Sequence, residues 1–142
     1  MRCFALILYL PLLVCAASAS QTVSGPVEAR VLRVIDGDSF VAEARVWPGH
    51  TVTVSVRIRG IDAPEMKSRC EAERLAAKRS RAALEAMIGA GPVGMTNIGG
   101  DKYYGRVLAD VTTPDGRAVA PAMIADNRAR AYSGGKRRAW CD

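Results

Sequence analysis

The sequence predicts a mainly β α+β domain, in which five strands close into a barrel beside one long and one short helix. Of its 142 residues, 49% are hydrophobic, enough for one buried core. Short runs of alternating apolar and polar residues stand between turn residues, which is typical of strands. One longer run has helical spacing. The order of three strands, a helix, two strands and a short helix matches a five-stranded OB-fold barrel.

Residues 1–19 are predicted to be a secretory signal peptide. Arg2 precedes an apolar run over residues 4–14, and Ala17-Ser18-Ala19 offers a small-residue cleavage site. The apolar run is too short to span a bilayer comfortably, and an interfacial anchor is the alternative. Cleavage would leave residues 20–142 as a single domain, periplasmic or secreted, with no stable membrane anchor.

The mature chain is expected to be basic and to hold one pair of cysteines. Without Arg2 it has 19 Lys and Arg against 14 Asp and Glu, a net charge of +5. This charge favours acidic partners such as nucleic acid or anionic lipid. Cleavage removes Cys3 and Cys15. In an exported chain the remaining pair, Cys70 and Cys141, suggests one disulfide, with two free thiols as the alternative.

The first half of the domain is predicted to be an antiparallel meander of three strands. The strands cover residues 27–35, 39–46 and 51–59. The turns between them contain Asp36-Gly37-Asp38 and Trp47-Pro48-Gly49-His50, both rich in turn formers. Side chains alternate along a strand, so the third strand has one apolar face and one face that ends in Arg57 and Arg59. The chain after this strand is expected to bring Asp62 and Glu65 close to these two cations.

The second half begins with the long helix. Ser68 and Glu71 fit a capping box at its start, and Gly89 is a natural C′ residue at its end. The later elements are expected to be strands over 93–98 and 107–111 with a Gly99-Gly100 loop between them, a turn at Thr113-Pro114-Asp115-Gly116, and a short helix over 118–126 with Asn127 as an αL cap.

Three carboxylates are candidates for metal or acid–base chemistry. Asp38 follows the first strand, and Asp62 and Glu65 follow the third with Pro64 stiffening the spacing between them. His50 is the only histidine, so zinc is not expected. Oxygen ligands suit Ca²⁺ or Mg²⁺, and an irregular set suits Ca²⁺. The alternatives are a plain hairpin turn at Asp38 and a surface charge cluster.

The segment 101–106 is a candidate ligand-binding loop. Arg106 follows a glycine, so the backbone there can approach a ligand closely. Tyr103 and Tyr104 offer surfaces on which a base or sugar can stack. An ordinary basic turn with half-buried tyrosines is the alternative.

Three separated blocks occur in a specific order. Asp36-Gly37-Asp38 comes first, then Arg57 with Asp62 and Glu65 in an Arg-x-x-x-x-Asp-x-Pro-Glu pattern, then, after the helix, Tyr104-Gly105-Arg106. These blocks resemble the staphylococcal nuclease-like, or thermonuclease, family over roughly residues 31–132.

The resemblance implies a metal site and a set of catalytic side chains. The implied Ca²⁺ ligands are Asp38, Asp62 and the backbone carbonyl of Ala63. The implied catalytic residues are Arg57 and Arg106, which would contact the scissile phosphate, and Glu65, which would handle the attacking water. Ala63 stands where the family usually has threonine, but a backbone carbonyl does not depend on the side chain.

The resemblance also implies nucleotide contacts. Tyr104 and Tyr132 match tyrosines that contact the nucleotide. Tyr103 stands where the family often has a basic residue, which predicts a different conformation for this loop. The long C-terminal helix of the best-known member has no counterpart here, and the pair Cys70 and Cys141 is expected to take over its tethering role.

The residues and the resemblance together predict an exported, monomeric, Ca²⁺-dependent nuclease that hydrolyses DNA, RNA or both, and the resemblance implies 3′-phosphate products. The alternatives are a catalytically silent OB-fold module that binds nucleic acid, and a basic structural or envelope-associated domain. Loss of a site residue would favour the silent module, but all five of the family's charged positions are filled, by Asp38, Arg57, Asp62, Glu65 and Arg106.

Overall fold

Five strands close into a barrel in the computed structural model, which describes residues 21–89 and 91–141. The predicted signal peptide lies outside the described residues. The elements are β1 (Thr22–Val23), β2 (Val27–Val34), β3 (Ser39–Trp47), β4 (His50–Ile58), β5 (Ile61–Asp62), α1 (Glu71–Ile88), β6 (Val93–Gly100), β7 (Arg106–Thr112), α2 (Val119–Ala125) and β8 (Arg130–Ala131).

The barrel has the topology expected of an OB fold, as the sequence predicted. Strands β2, β3 and β4 form the antiparallel meander. β4 then pairs in parallel with β7, β7 pairs antiparallel with β6, and β6 returns to β2 and closes the barrel. β1 adds to the edge of β6, and β5 pairs with β8 in a separate two-stranded sheet. The parallel pairing of β4 with β7 aligns Ser55 with Arg106, which brings the two arginine-bearing segments together.

The core lies inside the barrel and is closed by the two helices. Fully buried side chains come from the strands and from the inner faces of the helices, among them Phe40, Val56, Ile58, Met95, Leu84, Ile88, Val119 and Met123. The apolar face predicted for β4 is buried only toward its end. Val52 is 49% exposed, because it lies toward the tip of the β3–β4 hairpin, where Trp47 is also 70% exposed.

The long helix begins with a different cap from the one predicted. Cys70, not Ser68, is the N-cap residue, and its Sγ accepts a hydrogen bond from the Glu73 N–H at 3.4 Å. Ser68 instead donates its hydroxyl to Glu73 Oε2 at 2.6 Å. The glutamate that contacts the segment before the helix is therefore Glu73 rather than Glu71. The N-cap residue and its glutamate both lie two residues later than predicted. Gly89 ends the helix with φ −77°, so it is not left-handed as expected of a C′ glycine.

The second half of the barrel differs from the prediction mainly at its glycines. Gly99 and Gly100 belong to β6 and pair with Leu108 and Val107, because β7 extends the ladder past the predicted loop. A register shift before Gly99 contains Asn97, whose φ is 49°. The turn ending at Gly116 is confirmed by its hydrogen bond to Thr113. The αL conformation of Asn127 is also confirmed, with φ 54°.

A disulfide joins Cys70 to Cys141, as predicted, with the two Cα atoms 6.4 Å apart. It ties the start of α1 to the C-terminal end of the chain. Among the described residues, no helix has both the length and the apolar character needed to cross a membrane.

Replacing both cysteines by alanine is expected to lower the free energy of unfolding by about 4 kcal/mol. The disulfide closes a long loop, since the two cysteines are 71 residues apart, and opening that loop increases the conformational entropy of the unfolded chain only. Urea denaturation followed by circular dichroism measures the loss. Reduced wild-type protein is the control and should show a similar loss. Equal denaturation midpoints for the oxidised wild type and the double variant would contradict the prediction.

Candidate functional site

One cleft of about 960 Å³ collects most of the residues predicted to form the site. It lies where the starts of β3 and β7 meet the ends of β4 and β5, beside the segment 133–137. The predicted residues that line it are Asp38, Arg57, Asp62, Ala63, Glu65, Arg106 and Tyr132. Segments far apart in the sequence therefore contribute to a single surface.

Asp38 is positioned by a close approach of its turn to the long helix. A Cβ atom on Gly37 would overlap the Ser80 side chain and come within 2.8 Å of the Ala63 Cβ, so only glycine fits here. Asp38 Oδ2 accepts the Ala63 N–H at 2.7 Å, and its Oδ1 accepts the Ser39 hydroxyl at 3.0 Å. The turn is thus more than a hairpin connection, because it fixes a buried carboxylate beside Ala63.

Arg57 lies between two of the candidate metal ligands. Its guanidinium forms a close ion pair with Asp38 and lies 3.8 Å from Asp62 Oδ1. It also donates to the Ile61 carbonyl at 3.0 Å. Burial raises the pKa of Asp38, against the opposing attraction of Arg57. Burial alone would lower the pKa of Arg57, but the surrounding carboxylates, Asp38 foremost with Asp62 and Asp36, together outweigh it and raise that pKa. Arg57 is therefore a permanent cation in the cleft.

Asp62 and Glu65 occupy different environments on either side of Ala63 and Pro64. Asp62 is held by the pairing of β5 with β8 and is only 5% exposed. Glu65 lies at the rim, with its side chain 55% exposed, and its backbone N–H donates to Glu73 Oε1 at 2.9 Å. The cleft thus combines buried carboxylates with one accessible carboxylate at its edge.

Arg106 faces the same cleft from the start of β7. It forms a close ion pair with Asp101, and its guanidinium stacks 4.6 Å from the centre of the Tyr103 ring. Burial would raise the pKa of Asp101, but the hydrogen bonds from Arg106 and from the Lys102 N–H, together with the positive charge of Arg106, outweigh it and lower that pKa. Tyr103 lines the cleft, whereas the side chain of Tyr104 is fully exposed and does not.

Arg59 does not join the carboxylates as expected from its place on β4. The sequence placed it with Arg57 beside Asp62 and Glu65. Its Nη2 instead donates to the Asn97 carbonyl at 2.6 Å, and its Nε lies 3.5 Å from Asp110. The long side chain therefore contacts β6 and β7 of the barrel rather than the carboxylates of the cleft.

Arg137 is the principal site residue that sequence reasoning missed. Its Nε donates to Asp62 Oδ1 at 2.6 Å, its Nη2 to the Ala63 carbonyl at 2.8 Å, and its Nη1 to Glu65 Oε1 at 2.5 Å. The one available signal was its place four residues before Cys141, whose partner Cys70 lies shortly after Glu65.

The donor set of the cleft suits a hard cation. It consists of carboxylate and carbonyl oxygens, which is the chemistry that Ca²⁺ and Mg²⁺ prefer. No cluster of three or more His, Cys, Asp or Glu side chains converges within residues 21–89 and 91–141. The oxygens of Asp62, Ala63 and Glu65 meet instead on the guanidinium of Arg137, which shows that the site attracts positive charge.

The barrel and its cleft define an OB-fold domain of a nuclease-like or nucleic-acid-binding class. The sequence model of the family described as staphylococcal nuclease homologue matches residues 55–139, which is more than half of the chain. The chain belongs to this family. The matched range contains Arg57, Asp62, Glu65 and Arg106, whereas Asp38 precedes it. A comparison with curated proteins finds no match.

Proposed function

We propose that this protein is an exported, Ca²⁺-dependent nuclease that hydrolyses phosphodiester bonds of DNA, RNA or both. One observation carries the proposal: two arginines, Arg57 and Arg106, face the same cleft as the carboxylates of Asp38, Asp62 and Glu65. A binding surface for a polyanion would need only the cations. The buried carboxylates raise the electrostatic cost of binding a polyanion, and that favours chemistry over simple retention.

Arg57 and Arg106 are assigned to the scissile phosphate. A planar guanidinium can donate to two phosphate oxygens at once, which suits the charge that builds in a five-coordinate transition state. Both side chains already carry carboxylate partners, Asp38 and Asp101, that hold their orientation in the cleft. Substrate would bind to donors that are in place before it arrives.

Glu65 is assigned the role of general base, which accepts the proton of the attacking water. Its exposed carboxylate at the rim would take that proton as the water oxygen bonds to phosphorus and the bond to the 5′ oxygen breaks. The 5′ oxygen leaves and becomes a hydroxyl by taking up a proton, which Glu65 returns through solvent water, and the 3′ side keeps the phosphate. Ca²⁺ held by Asp38, Asp62 and the carbonyl of Ala63 would offset negative charge on the phosphate. Tyr132, which lines the cleft, and Tyr104, whose exposed ring lies outside it, are proposed to contact the nucleotide.

Digestion of nucleic acid by the oxidised mature protein tests the proposal. Linear DNA and RNA are incubated with protein and CaCl₂, and fragments are separated on denaturing gels. We expect fragments whose 3′ ends block polymerase extension until a phosphatase is added. Bound but intact nucleic acid would overturn the proposal and leave the silent OB-fold module, and neither binding nor cleavage would favour the structural role.

The exported protein is expected to begin near Ser20, because Ala17-Ser18-Ala19 follows the apolar run. Export would also place Cys70 and Cys141 in an oxidising compartment, where their disulfide persists. N-terminal sequencing of protein recovered outside the cytoplasm gives the start directly. A mature chain that still carries Met1 would contradict export by this route.

A further inference from the structure

The C-terminal strap, residues 133–141, folds back over the acidic end of the cleft. Within it, Arg137 uses all three nitrogens of its guanidinium on oxygens of the site. Two of those oxygens, on Asp62 and Ala63, belong to the ligand set proposed for the metal. The third belongs to Glu65, the proposed base. A single side chain of the protein thus pairs with oxygens of two of the three proposed metal ligands and of the proposed base.

The strap is held on both sides of Arg137. Before it, the Tyr132 N–H donates to the Gly60 carbonyl at 2.9 Å, and the Tyr132 hydroxyl donates to the Gly135 carbonyl at 2.7 Å. After it, the Arg130 guanidinium stacks 3.8 Å from the centre of the Trp140 ring and donates to the Ala139 carbonyl. The disulfide at Cys141 fixes the end. Arg137 is therefore held at the site by a segment that hydrogen bonds, a stacking contact and a disulfide fix in place.

Arg137 is distinct from the basic residues on either side of it. Lys136 and Arg138 form no ion pair with a site carboxylate in the part of the chain that the structure describes. Trp140 strengthens the contact of the strap with Asp62, because its Nε1 lies 3.4 Å from Oδ2 while Arg137 takes Oδ1. Both oxygens of this buried carboxylate are thus engaged by the strap.

We propose that Arg137 is a built-in competitor of the divalent cation. Ca²⁺ needs several oxygen ligands at short distance, and Arg137 occupies oxygens of two proposed ligands and of the proposed base at the same time, whereas Arg57 pairs closely with Asp38. Metal binding therefore requires the Arg137 side chain to leave these oxygens, and the fraction of molecules in which it has left sets the apparent Ca²⁺ affinity. This inference rests on the proposed function, because it takes the same oxygens as metal ligands.

If Arg137 competes with Ca²⁺, then replacing it should increase the affinity of the protein for Ca²⁺. Calorimetric titration of CaCl₂ into the oxidised mature protein, without nucleic acid, measures the dissociation constant. Arg137→Ala is expected to bind Ca²⁺ about tenfold or more tightly than the wild type. Arg137→Gln keeps hydrogen-bond donors and bulk but loses the charge, and it should shift the constant in the same direction. Thermal denaturation in EDTA confirms that each variant is folded.

Arg138→Ala is the matched control, since it removes the same charge from the strap without touching a site carboxylate. Its Ca²⁺ affinity should change by no more than about twofold, because an exposed charge acts weakly at a distance. An equal shift in Arg138→Ala and Arg137→Ala would overturn the inference in favour of a general charge effect. An unchanged or weaker affinity in Arg137→Ala would overturn it as well. If no protein binds Ca²⁺, the metal assignment of the proposed function fails together with it.

Discussion

Replacing Glu65 by glutamine is expected to lower the turnover of nucleic-acid cleavage by about 10²–10⁴-fold, the range in which positioned acids and bases act. Glutamine keeps nearly the same shape and reach but cannot accept the proton of the attacking water. Because the Glu65 side chain is 55% exposed at the rim of the cleft, the substitution should leave the fold intact. Nucleic-acid binding should largely survive, since the two arginines remain.

Single-turnover cleavage of a labelled oligonucleotide separates these two effects. Fluorescence anisotropy reports binding and gel analysis reports the rate of the chemical step. Glu71→Gln is the matched control, because Glu71 is an exposed glutamate in the first turn of α1. It should cut at the wild-type rate. Cleavage by Glu65→Gln at near wild-type speed would show that the assigned mechanism is wrong, even if the protein is a nuclease.

Variants that lack a carboxylate and variants that lack an arginine are expected to lose nuclease activity in different ways. Asp38→Ala and Asp62→Ala should weaken Ca²⁺ binding, so part of their lost activity should return at high Ca²⁺ concentration. Arg57→Ala and Arg106→Ala should lose activity by a similarly large factor and should not respond to added metal. Their lysine variants should also remain poor, because an ammonium cannot make the two-pronged phosphate contact.

Cleavage rates measured over a range of Ca²⁺ concentrations distinguish the two groups. Arg57→Ala also leaves the buried Asp38 carboxylate without its partner, so thermal denaturation must accompany each rate. Arg30→Ala is the control, since Arg30 pairs with Glu43 on the exposed surface of the barrel. Recovery of the arginine variants by metal, or equal insensitivity of all four alanine variants, would contradict the division of roles.

The meander and the long helix could be predicted because their signals are local. Alternation along β2, β3 and β4 and turn residues such as Gly37 and Gly49 are read within a few positions of the chain. The two-residue strands β1, β5 and β8 carry no such signal, because pairing with distant segments creates them. The cap of α1 was misplaced for a similar reason, since Glu73 rather than Glu71 reaches back toward the start of the helix.

The site residues that are neighbours in the sequence could be predicted. Those that only the tertiary fold places beside the site could not. Asp62 follows Arg57 by only five residues, so its approach to within 3.8 Å of that guanidinium could be expected. Arg137 lies 72 residues after Glu65, and contacts that are distant in sequence bring it back: the hydrogen bond of the Tyr132 N–H to Gly60, the stacking of Arg130 on Trp140 and the disulfide. Local sequence likewise gave no reason to choose Tyr103 over Tyr104 as the ring that lines the cleft.

Cleavage by the wild-type protein as a function of free Ca²⁺ tests the central proposal most directly. Oxidised protein is first stripped of metal with EDTA, and Ca²⁺ is then added back in steps while the rate on DNA and on RNA is measured. We predict no cleavage in EDTA and a rate that rises with Ca²⁺ and saturates over the range in which calorimetry finds the metal bound. A rate that is unchanged by EDTA, or nucleic acid that stays intact at every Ca²⁺ concentration, would contradict it.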